Sequence, residues 1–427
     1  MKSWLQALSV YRHPRVAAML FLGFSAGLPF VLTAGTMSAW LARVGLSRTS
    51  IGMFAWVGIL YAFKFAWSPL VDQLRIPLLT KAMGRRRSWM LIAQFGIALS
   101  LMGMAATDPA AHLAVFAALA VCVAFFSATQ DIALDAWRIE AVEIEFQAAM
   151  AASYQLGYRV ALLVSGAGAL VIGGELSYPL AYRAMAALMA VGMIAVLFVG
   201  ENPAEASLPG QPTIADNGAI RWLQGAVLKP FAEFFERNAS QALTILAFIG
   251  IYRISDMVLG VMANPFYLAI GFSEAQIAAY VKTVGLGAVL GGAALGGVAV
   301  ARFGLGGPLI FGAIILAITN LAFAGLAFAG ANVPLLILTI SADNLAQGFT
   351  GTVFIAYLSG LTNISYTATQ YALFTSLMVL PGKFLSGFSG AVVDGFGWVS
   401  FFVYAAAMGI PAIVLAWVIV HKEPATH

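Results

Sequence analysis

Charged residues are scarce in this sequence of 427 residues. Asp, Glu, Lys and Arg make up 9% of the chain, whereas 61% is hydrophobic and the mean hydropathy is +0.91. Soluble domains carry about 25% charged residues. A water-facing surface cannot be built from so little charge, so the composition excludes a soluble fold and predicts the lipid bilayer as the main solvent.

Cysteine and histidine are also scarce, and this excludes several chemistries. The single cysteine, Cys122, cannot form an internal disulfide, and the four histidines lie near the termini or in a loop, at His13, His112, His421 and His427. We therefore expect no His/Cys metal site. The net charge of +4 is small and unclustered, so we expect no nucleic acid partner. The sequence also lacks a Walker loop, a dinucleotide fingerprint and a nucleophile elbow, which are motifs that would indicate an enzyme.

The sequence instead contains long runs that are apolar on most faces, which is typical of membrane-spanning helices rather than barrel strands. The first run is too long for a signal peptide and lacks its small-residue cleavage pattern. Fourteen Lys and Arg residues fall in the loops on one side and three on the other, which predicts cytoplasmic termini. We predict twelve spans, at 16–42, 50–71, 89–107, 113–137, 148–173, 179–200, 240–270, 275–301, 307–329, 333–361, 368–393 and 398–420.

A polar linker at 201–239 divides the chain into two halves that resemble each other. The second part of the linker is amphipathic and predicts a helix that lies at the lipid headgroups. Residues 44–51 resemble residues 270–277, and Arg159 matches Lys383 at nearly the same offset along the chain. The repeat predicts an all-α integral membrane protein of the major facilitator architecture. Its predicted domains are two six-helix bundles joined by the linker, 1–200 and 240–427.

Nine ionisable residues fall inside the predicted spans. Each costs about 2.5–3.5 kcal/mol at the bilayer centre on insertion scales, so we expect these side chains to face a cavity or each other. Static ion pairing between helices is the alternative, and Arg253 and Asp256 are close enough along one helix to satisfy each other. The nine residues are Lys64, Asp131, Asp135, Arg159, Arg253, Asp256, Lys282, Asp343 and Lys383.

The fourth predicted span carries a polar face with two carboxylates. Gln130, Asp131 and Asp135 share this face because residues three and four apart align on a helix. Two carboxylates one turn apart repel each other when both are ionised, which favours a proton on one of them. We predict that both take part in proton coupling, with Asp131, the deeper one, as the proton carrier. A gate or salt-bridge role stays open for Asp135.

Unpaired cations and polar side chains in the other spans predict an anionic ligand. Lys64, Arg159, Lys282 and Lys383 have no carboxylate within one turn of their own helices. Amides could recognise hydroxyl and amide groups, and sugar rings could stack on Tyr61, Tyr154 or Tyr158. The predicted substrate-binding residues are Lys64, Gln130, Gln155, Tyr158, Arg159, Asp256, Lys282, Asn344, Gln347 and Lys383.

The loop between the second and third spans predicts a gate. Residues 68–72 (Ser-Pro-Leu-Val-Asp) and 84–87 (Gly-Arg-Arg-Arg) resemble the major facilitator signature, in which an aspartate and basic residues close the cytoplasmic side. Ser68 replaces the usual glycine and extra residues separate the two parts, which leaves the geometry open. Glu140, Glu143 and Glu145 could pair with the arginines or form a solvated loop. The predicted gating residues are Asp72, Arg85, Arg86 and Arg87.

Several segments together resemble one branch of this superfamily. They are 63–72 (Phe-Lys-Phe-Ala-Trp-Ser-Pro-Leu-Val-Asp), 127–137 (Ser-Ala-Thr-Gln-Asp-Ile-Ala-Leu-Asp-Ala-Trp), 156–159 (Leu-Gly-Tyr-Arg), 223–238 and 368–373 (Ala-Thr-Gln-Tyr-Ala-Leu). The chain resembles the AmpG-type muropeptide permeases over nearly its whole length. By this resemblance the family's polar residues correspond to Gln130, Asp131, Lys64 and Arg159. The family's cation in span eleven is often arginine but is Lys383 here, and an ammonium cannot make the forked guanidinium contact.

The resemblance implies a proton symporter of the bacterial inner membrane that works by rocking of the halves 16–200 and 240–420. It would import N-acetylglucosaminyl-anhydro-N-acetylmuramic acid, with or without stem peptide, from periplasm to cytoplasm, for wall recycling and β-lactamase induction. We expect an anionic muropeptide and the bilayer as partners, a monomer, and no cofactor besides the proton gradient. The alternatives are a carrier of another anionic or amphiphilic solute, such as acetyl-CoA or a drug, and a non-transporting membrane sensor.

Overall fold

The computed structural model describes residues 9–46, 50, 53–200, 219–273, 276–277, 280 and 283–422. This described part is built from helices and contains no strand. Nine of its helical stretches are long and apolar enough to cross a membrane. Of the predicted features, residues 201–218 of the linker and parts of the repeated segments 44–51 and 270–277 lie outside the described residues.

The first half contains six helical spans, several of which are interrupted. In order they are span one (Pro14–Leu32 and Gly35–Arg43), span two (Phe54–Gly58, Ile59–Phe63, Lys64–Ala66 and Ser68–Gln73), span three (Arg85–Ala106), span four (Leu113–Ala141), span five (Ile144–Leu163, Val164–Gly168 and Ala169–Glu175) and span six (Tyr178–Leu188 and Ala190–Phe198). A short helix, Leu79–Met83, lies between spans two and three.

Span two departs from the continuous helix that its apolar run predicts. It alternates between 3₁₀ and α geometry, with a 3₁₀ turn at Lys64–Ala66. Pro69 occupies the first turn of the last piece, where its missing N–H is tolerated, and the preceding Trp67 leaves helical geometry. The predicted span at 50–71 is therefore helical where the structure describes it, but it consists of several short pieces. Because of the interruption, Lys64 projects from a 3₁₀ turn in the middle of the span.

The second half contains the remaining spans. The helix Ser389–Ala407 is interrupted at Gly397, whose φ of 77° and ψ of 172° are not helical, so the chain reverses there. This break agrees with the predicted boundary between 393 and 398. The spans are span seven (Ala242–Ile251 and Ile254–Ala269), span eight (Thr283–Phe303), span nine (Gly306–Ala329), span ten (Val333–Gly360), span eleven (from Thr367–Ser386 to the break at Gly397) and span twelve (from the break through Ile410–Lys422).

Glycines let some spans meet backbone to backbone. A Cβ atom on Gly157 of span five would lie 1.9 Å from the carbonyl oxygen of Leu20 in span one. A Cβ atom on Gly292 of span eight would lie 2.0 Å from the carbonyl oxygen of Leu345 in span ten. Small residues allow such close approach without a hydrophobic driving force between helices. These contacts fix how each bundle packs.

The linker ends in a helix, Ala219–Asn238, that docks on span eleven. Phe234 is 4% exposed and packs against Phe374, with ring centroids 5.3 Å apart. The carbonyl oxygen of Pro230 accepts a hydrogen bond from Gln370 Nε2 at 2.9 Å. Phe235 is 43% exposed, so apolar side chains also face outward. The helix therefore contacts the protein on one face and keeps an apolar outer face suited to headgroups.

Among the described residues, the buried cores that the two halves share lie on one side of the molecule. We call the side on which span one begins and span twelve ends the termini side. There, Ile139 and Ala148 pack with residues of the second half, and Val298 and Ala301 pack with residues of the first. Toward the opposite side, each of the two described hydrophobic clusters contains residues of a single half. The described part of the chain is therefore closed on the termini side.

Candidate functional site

The polar face of span four lies in the interior of the first half. Gln130 is fully buried and its Oε1 accepts a hydrogen bond from Ser25 Oγ of span one at 3.2 Å. Oδ1 of Asp131 is buried and has no hydrogen-bond partner among the described residues. Gln130 Nε2 is likewise buried without a partner among these residues. This face therefore presents polar atoms that the protein itself leaves unsatisfied, as expected where a ligand, a proton or water completes the bonding.

Asp135 lies between two cations. Its Oδ2 is 3.7 Å from Lys64 Nζ of span two, and its Oδ1 is 3.8 Å from Arg138 Nε on its own helix. Asp131 also interacts electrostatically with Lys64 and Asp135. Lys64 has no carboxylate partner on its own helix, as predicted. The packing of span two against span four nevertheless brings Asp135 close to it. We call Lys64, Asp131 and Asp135 the central charge cluster.

A cavity of about 230 Å³ lies next to this cluster, between span two of the first half and span eleven of the second. Lys64 lines it from one half and Lys383 from the other. Lys383 is exposed and has no carboxylate partner among the described residues. We call this space the interdomain cavity; its lining residues are Tyr61, Lys64, Thr375, Ser376, Met378, Val379, Leu380 and Lys383.

Aromatic rings extend from the interdomain cavity toward span five. Tyr61 contacts Phe30 edge to face at 6.0 Å between ring centroids, Phe30 contacts Tyr158 at 6.4 Å, and Tyr158 contacts Tyr154 at 5.8 Å. Arg159, next to Tyr158, is partly buried and has no ion pair among the described residues. Such a row of rings beside a free guanidinium suits a ligand that combines sugar rings with an acidic group.

The predicted polar residues of the second half satisfy one another to a large extent. Asp256 forms an ion pair with Arg253 at 2.5 Å, which is the alternative that their spacing left open. Gln347 Nε2 donates to Asp343 Oδ2 at 2.7 Å, and Asn344 Nδ2 donates to the carbonyl oxygen of Ile340 at 3.0 Å. In the first half, the predicted substrate-binding residue Gln155 of span five is partly buried.

Asp343 belongs to this second-half group, although the sequence suggested no site role for it. It is 4% exposed, and its Oδ1 also accepts from Thr319 Oγ1 at 3.5 Å. Its sequence signals were its position among the charges inside the spans and on a polar face of span ten with Asn344 and Gln347. Lys282, predicted to bind substrate from span eight, lies outside the described residues.

On the termini side, Asp72 joins the two halves. This fully buried carboxylate accepts hydrogen bonds from the backbone N–H groups of Ala368 at 3.1 Å and Thr369 at 2.7 Å, and from Thr369 Oγ1 at 2.6 Å. It therefore caps the first turn of span eleven, where backbone N–H groups lack helical partners and a negative charge is favourable. Sequence reasoning identified Asp72 but not its partners in the other half.

The arginines before span three have different partners. Arg86, fully buried, lies 2.7 Å from Asp72 Oδ1 and 2.7 Å from Glu140 Oε1. Arg85 donates to the backbone carbonyl of Asp72. Arg87 donates to the carbonyl oxygens of Val196 and Leu197, which ties span three to span six within one half. Of the four predicted gating residues, Asp72 and Arg86 thus form a charge network that reaches the other half. We call Asp72, Arg86, Glu140 and Thr369 the latch.

Arg138 and the linker helix add further contacts that the sequence did not suggest. Arg138 Nη1 donates to Ser359 Oγ of span ten at 3.0 Å, and the guanidinium lies 5.2 Å from the ring centroid of Tyr371. Glu233 of the linker helix accepts a hydrogen bond from Gln370 Nε2 at 2.6 Å. Gln370 directly follows the latch residue Thr369 in the sequence. The spacing of Asp135 and Arg138 on one helix indicates only their own pairing, so the sequence carried no signal for the contact with Ser359.

The sequence is similar to those of known transporters. A family model described as Major Facilitator Superfamily matches residues 16–382. An anhydromuropeptide permease from Escherichia coli is 34% identical over 412 residues, which cover 96% of this chain and 80% of the permease. A protein named AmpG 4 from Rickettsia felis is 32% identical over 409 residues, which cover 95% of this chain and 96% of that protein.

The fold is similar to those of solved symporters. The fucose:proton symporter FucP from E. coli superposes with a TM-score of 0.68 at 13% sequence identity, over 98% of this chain and 99% of the symporter. The proton:xylose symporter XylE superposes with a TM-score of 0.65 at 14% identity, over 98% of this chain and 96% of the symporter. At such low identity these structures are informative about the fold alone.

Proposed function

The chain belongs to the major facilitator superfamily and is a multi-pass membrane transporter rather than an enzyme, and we propose that its cargo is an anhydromuropeptide. The observation that carries the proposal is the meeting of Lys64 and Lys383, from opposite halves, at one interdomain cavity beside the span-four carboxylates. Stem peptides bear several carboxylates, and the neighbouring row of tyrosines suits sugar rings. The anhydromuropeptide permease of E. coli supports this choice of cargo.

Transport proceeds by alternating access between the two halves. We infer from the loop charge that the termini side lies at the cytoplasmic face of a bacterial inner membrane, so the protein, closed on that side, opens toward the periplasm. Cargo enters from the periplasm, and the latch opens as the halves rock about the interdomain cavity. The bonds from Asp72 to Ala368 and Thr369 cross between the halves, so cargo release to the cytoplasm requires that they break.

A proton drives uptake, and Asp131 carries it. Its buried, unpartnered Oδ1 lies in a cluster with Asp135 and Lys64, where adding or removing one proton changes the local charge balance. One proton that crosses a pH difference of about one unit supplies about 1.4 kcal/mol, which supports about tenfold accumulation of cargo. The membrane potential adds no drive, because an anionic cargo together with one proton carries no net positive charge. No cofactor besides the proton gradient is needed for that work.

The test is uptake of labelled disaccharide-tripeptide muropeptide into proteoliposomes with an imposed acid-outside gradient. We expect gradient-driven accumulation by the wild type and its loss in Asp131→Asn, with passive equilibration retained. Asp394→Asn is the matched control, since Asp394 is exposed on span eleven. Full accumulation by Asp131→Asn would refute the proton role. Uptake of acetyl-CoA in place of the muropeptide would refute the cargo.

A further inference from the structure

We propose that Lys64 is shared between Asp135 and an acidic group of the cargo, which binds in the interdomain cavity between Lys64 and Lys383. This inference rests on the proposed function and assigns the subsite and the coupling step. Asp135 and the cargo would compete for one ammonium group. A proton that neutralises the span-four carboxylates would therefore release Lys64 to the cargo.

The pairing of Lys64 with Asp135 is loose enough for exchange. Their closest atoms are 3.7 Å apart, whereas a charge-assisted N–H···O hydrogen bond measures about 2.7–2.9 Å. The Lys64 side chain is 12% exposed and lines the interdomain cavity. Its ammonium sits on a flexible four-carbon stem, so it can turn from Asp135 toward an anion in the cavity without a backbone change.

Asp135 keeps a counter-ion when Lys64 leaves. Arg138 Nε lies 3.8 Å from Asp135 Oδ1. Hydrogen bonds from Arg138 Nη1 to Ser359 Oγ at 3.0 Å and to Gln147 Oε1 at 3.1 Å hold the guanidinium in place. The departure of Lys64 would therefore not leave an isolated charge on Asp135. A static pair that only ties span two to span four would need no second cation.

The interdomain cavity has the size and lining of a subsite for a small acidic group. Its volume of about 230 Å³ lies below the roughly 300–1,000 Å³ of pockets for drug-sized ligands, so it cannot hold a whole muropeptide. Thr375 and Tyr61 add hydroxyl groups beside the two lysines. A carboxylate placed there would bridge a cation of each half.

Several charged and titratable groups face Lys64 and Asp135 from neighbouring spans. Span four contributes Asp131 and Arg138, and span eleven contributes Tyr371 and Lys383. This set also includes four residues of spans two and five: Tyr61, Tyr154, Tyr158 and Arg159.

Among these groups the span-four carboxylates are the anions that hold Lys64. Protonation of either one weakens the attraction, so protons and the acidic cargo strengthen each other's binding, as linkage requires. Acidification should therefore tighten the binding of an acidic cargo by about fivefold or more, the lower end of typical coupling between two sites.

The experiment measures equilibrium binding to the purified full-length protein at a mildly acidic and a mildly alkaline pH. The two probes are the disaccharide-tripeptide muropeptide and its analogue with every carboxylate converted to a carboxamide. We expect the wild type to prefer the acidic probe, and to do so more strongly at acidic pH. Asp135→Asn should bind the acidic probe more tightly than the wild type at alkaline pH and show a weaker pH dependence, the remainder coming from Asp131. Lys64→Gln should lose the preference.

Further variants separate charge from folding. Lys64→Arg retains the charge and should retain the preference, whereas Lys383→Gln should weaken the preference but keep its pH dependence. Lys81→Gln, at an exposed residue of the short helix Leu79–Met83, is the matched control and should behave as the wild type. A wild-type preference in Lys64→Gln, or wild-type pH dependence in folded Asp135→Asn, would overturn the sharing of Lys64 alone. If neither probe binds the wild type or any variant, both the proposed muropeptide cargo and the proposed subsite are refuted.

Discussion

Removal of the negative charge of Asp72 is expected to open the termini side of the transporter. The carboxylate accepts three hydrogen bonds from Ala368 and Thr369 across the two halves and also pairs with Arg86. In Asp72→Asn one oxygen becomes an NH₂ group, which cannot accept from the N–H groups it faces. Hydrogen bonds to charged groups contribute about 1.5–3 kcal/mol each, so we expect a loss of about 2–3 kcal/mol.

This loss falls on the closed state alone, because the bonds break when the halves separate. It corresponds to a change of about 30- to 150-fold in the ratio of open to closed molecules. Arg86 retains Glu140 as a partner at 2.7 Å, so the buried guanidinium is not left without a counter-ion. The variant should therefore fold, and its thermal unfolding checks this.

The assay is thiol labelling from the termini side with an impermeant maleimide. The single native cysteine is replaced by Cys122→Ser, and Thr375→Cys places a thiol in the interdomain cavity. Labelling in vesicles of checked orientation should accelerate by about 30-fold or more in Asp72→Asn. Thr369→Val should give a smaller rise, since it removes one of the bonds. Glu143→Gln, on an exposed carboxylate of the same side, is the control, and unchanged labelling of a folded Asp72→Asn would refute the reasoning.

Two further predictions concern helix packing. Gly157→Ala should lower thermal stability by about 1–3 kcal/mol, the range for overpacked sites, because the new Cβ would lie 1.9 Å from Leu20 O. Gly174→Ala has open space around the new Cβ and should not destabilise; equal melting shifts for both would contradict the close contact. Phe234→Ala should cost about 3–5 kcal/mol, measured by thermal unfolding, since Phe234 is 4% exposed. Phe235→Ala, at 43% exposure, should cost much less, and a similar loss would argue against linker docking.

The sequence by itself determined the solvent, the fold class and the family of this protein. Scarce charge and long apolar runs are properties of many residues together, so the predictions drawn from them do not depend on any single position. The predicted major facilitator fold and the family resemblance are confirmed by the family model and the E. coli permease. Pairs a few residues apart were also accessible: Asp256 pairs with Arg253, which lies at the break just before its helix. The assigned roles of the site residues stay predictions.

Only the tertiary structure decided which side chains from different helices meet. Lys64 reaches Asp135 across spans two and four, and Asp72 bonds to Thr369 in the opposite half. Periodicity indicates which residues share a helix face, but not which neighbour that face turns toward. That choice depends on the packing of whole helices, including backbone contacts at glycines such as Gly157.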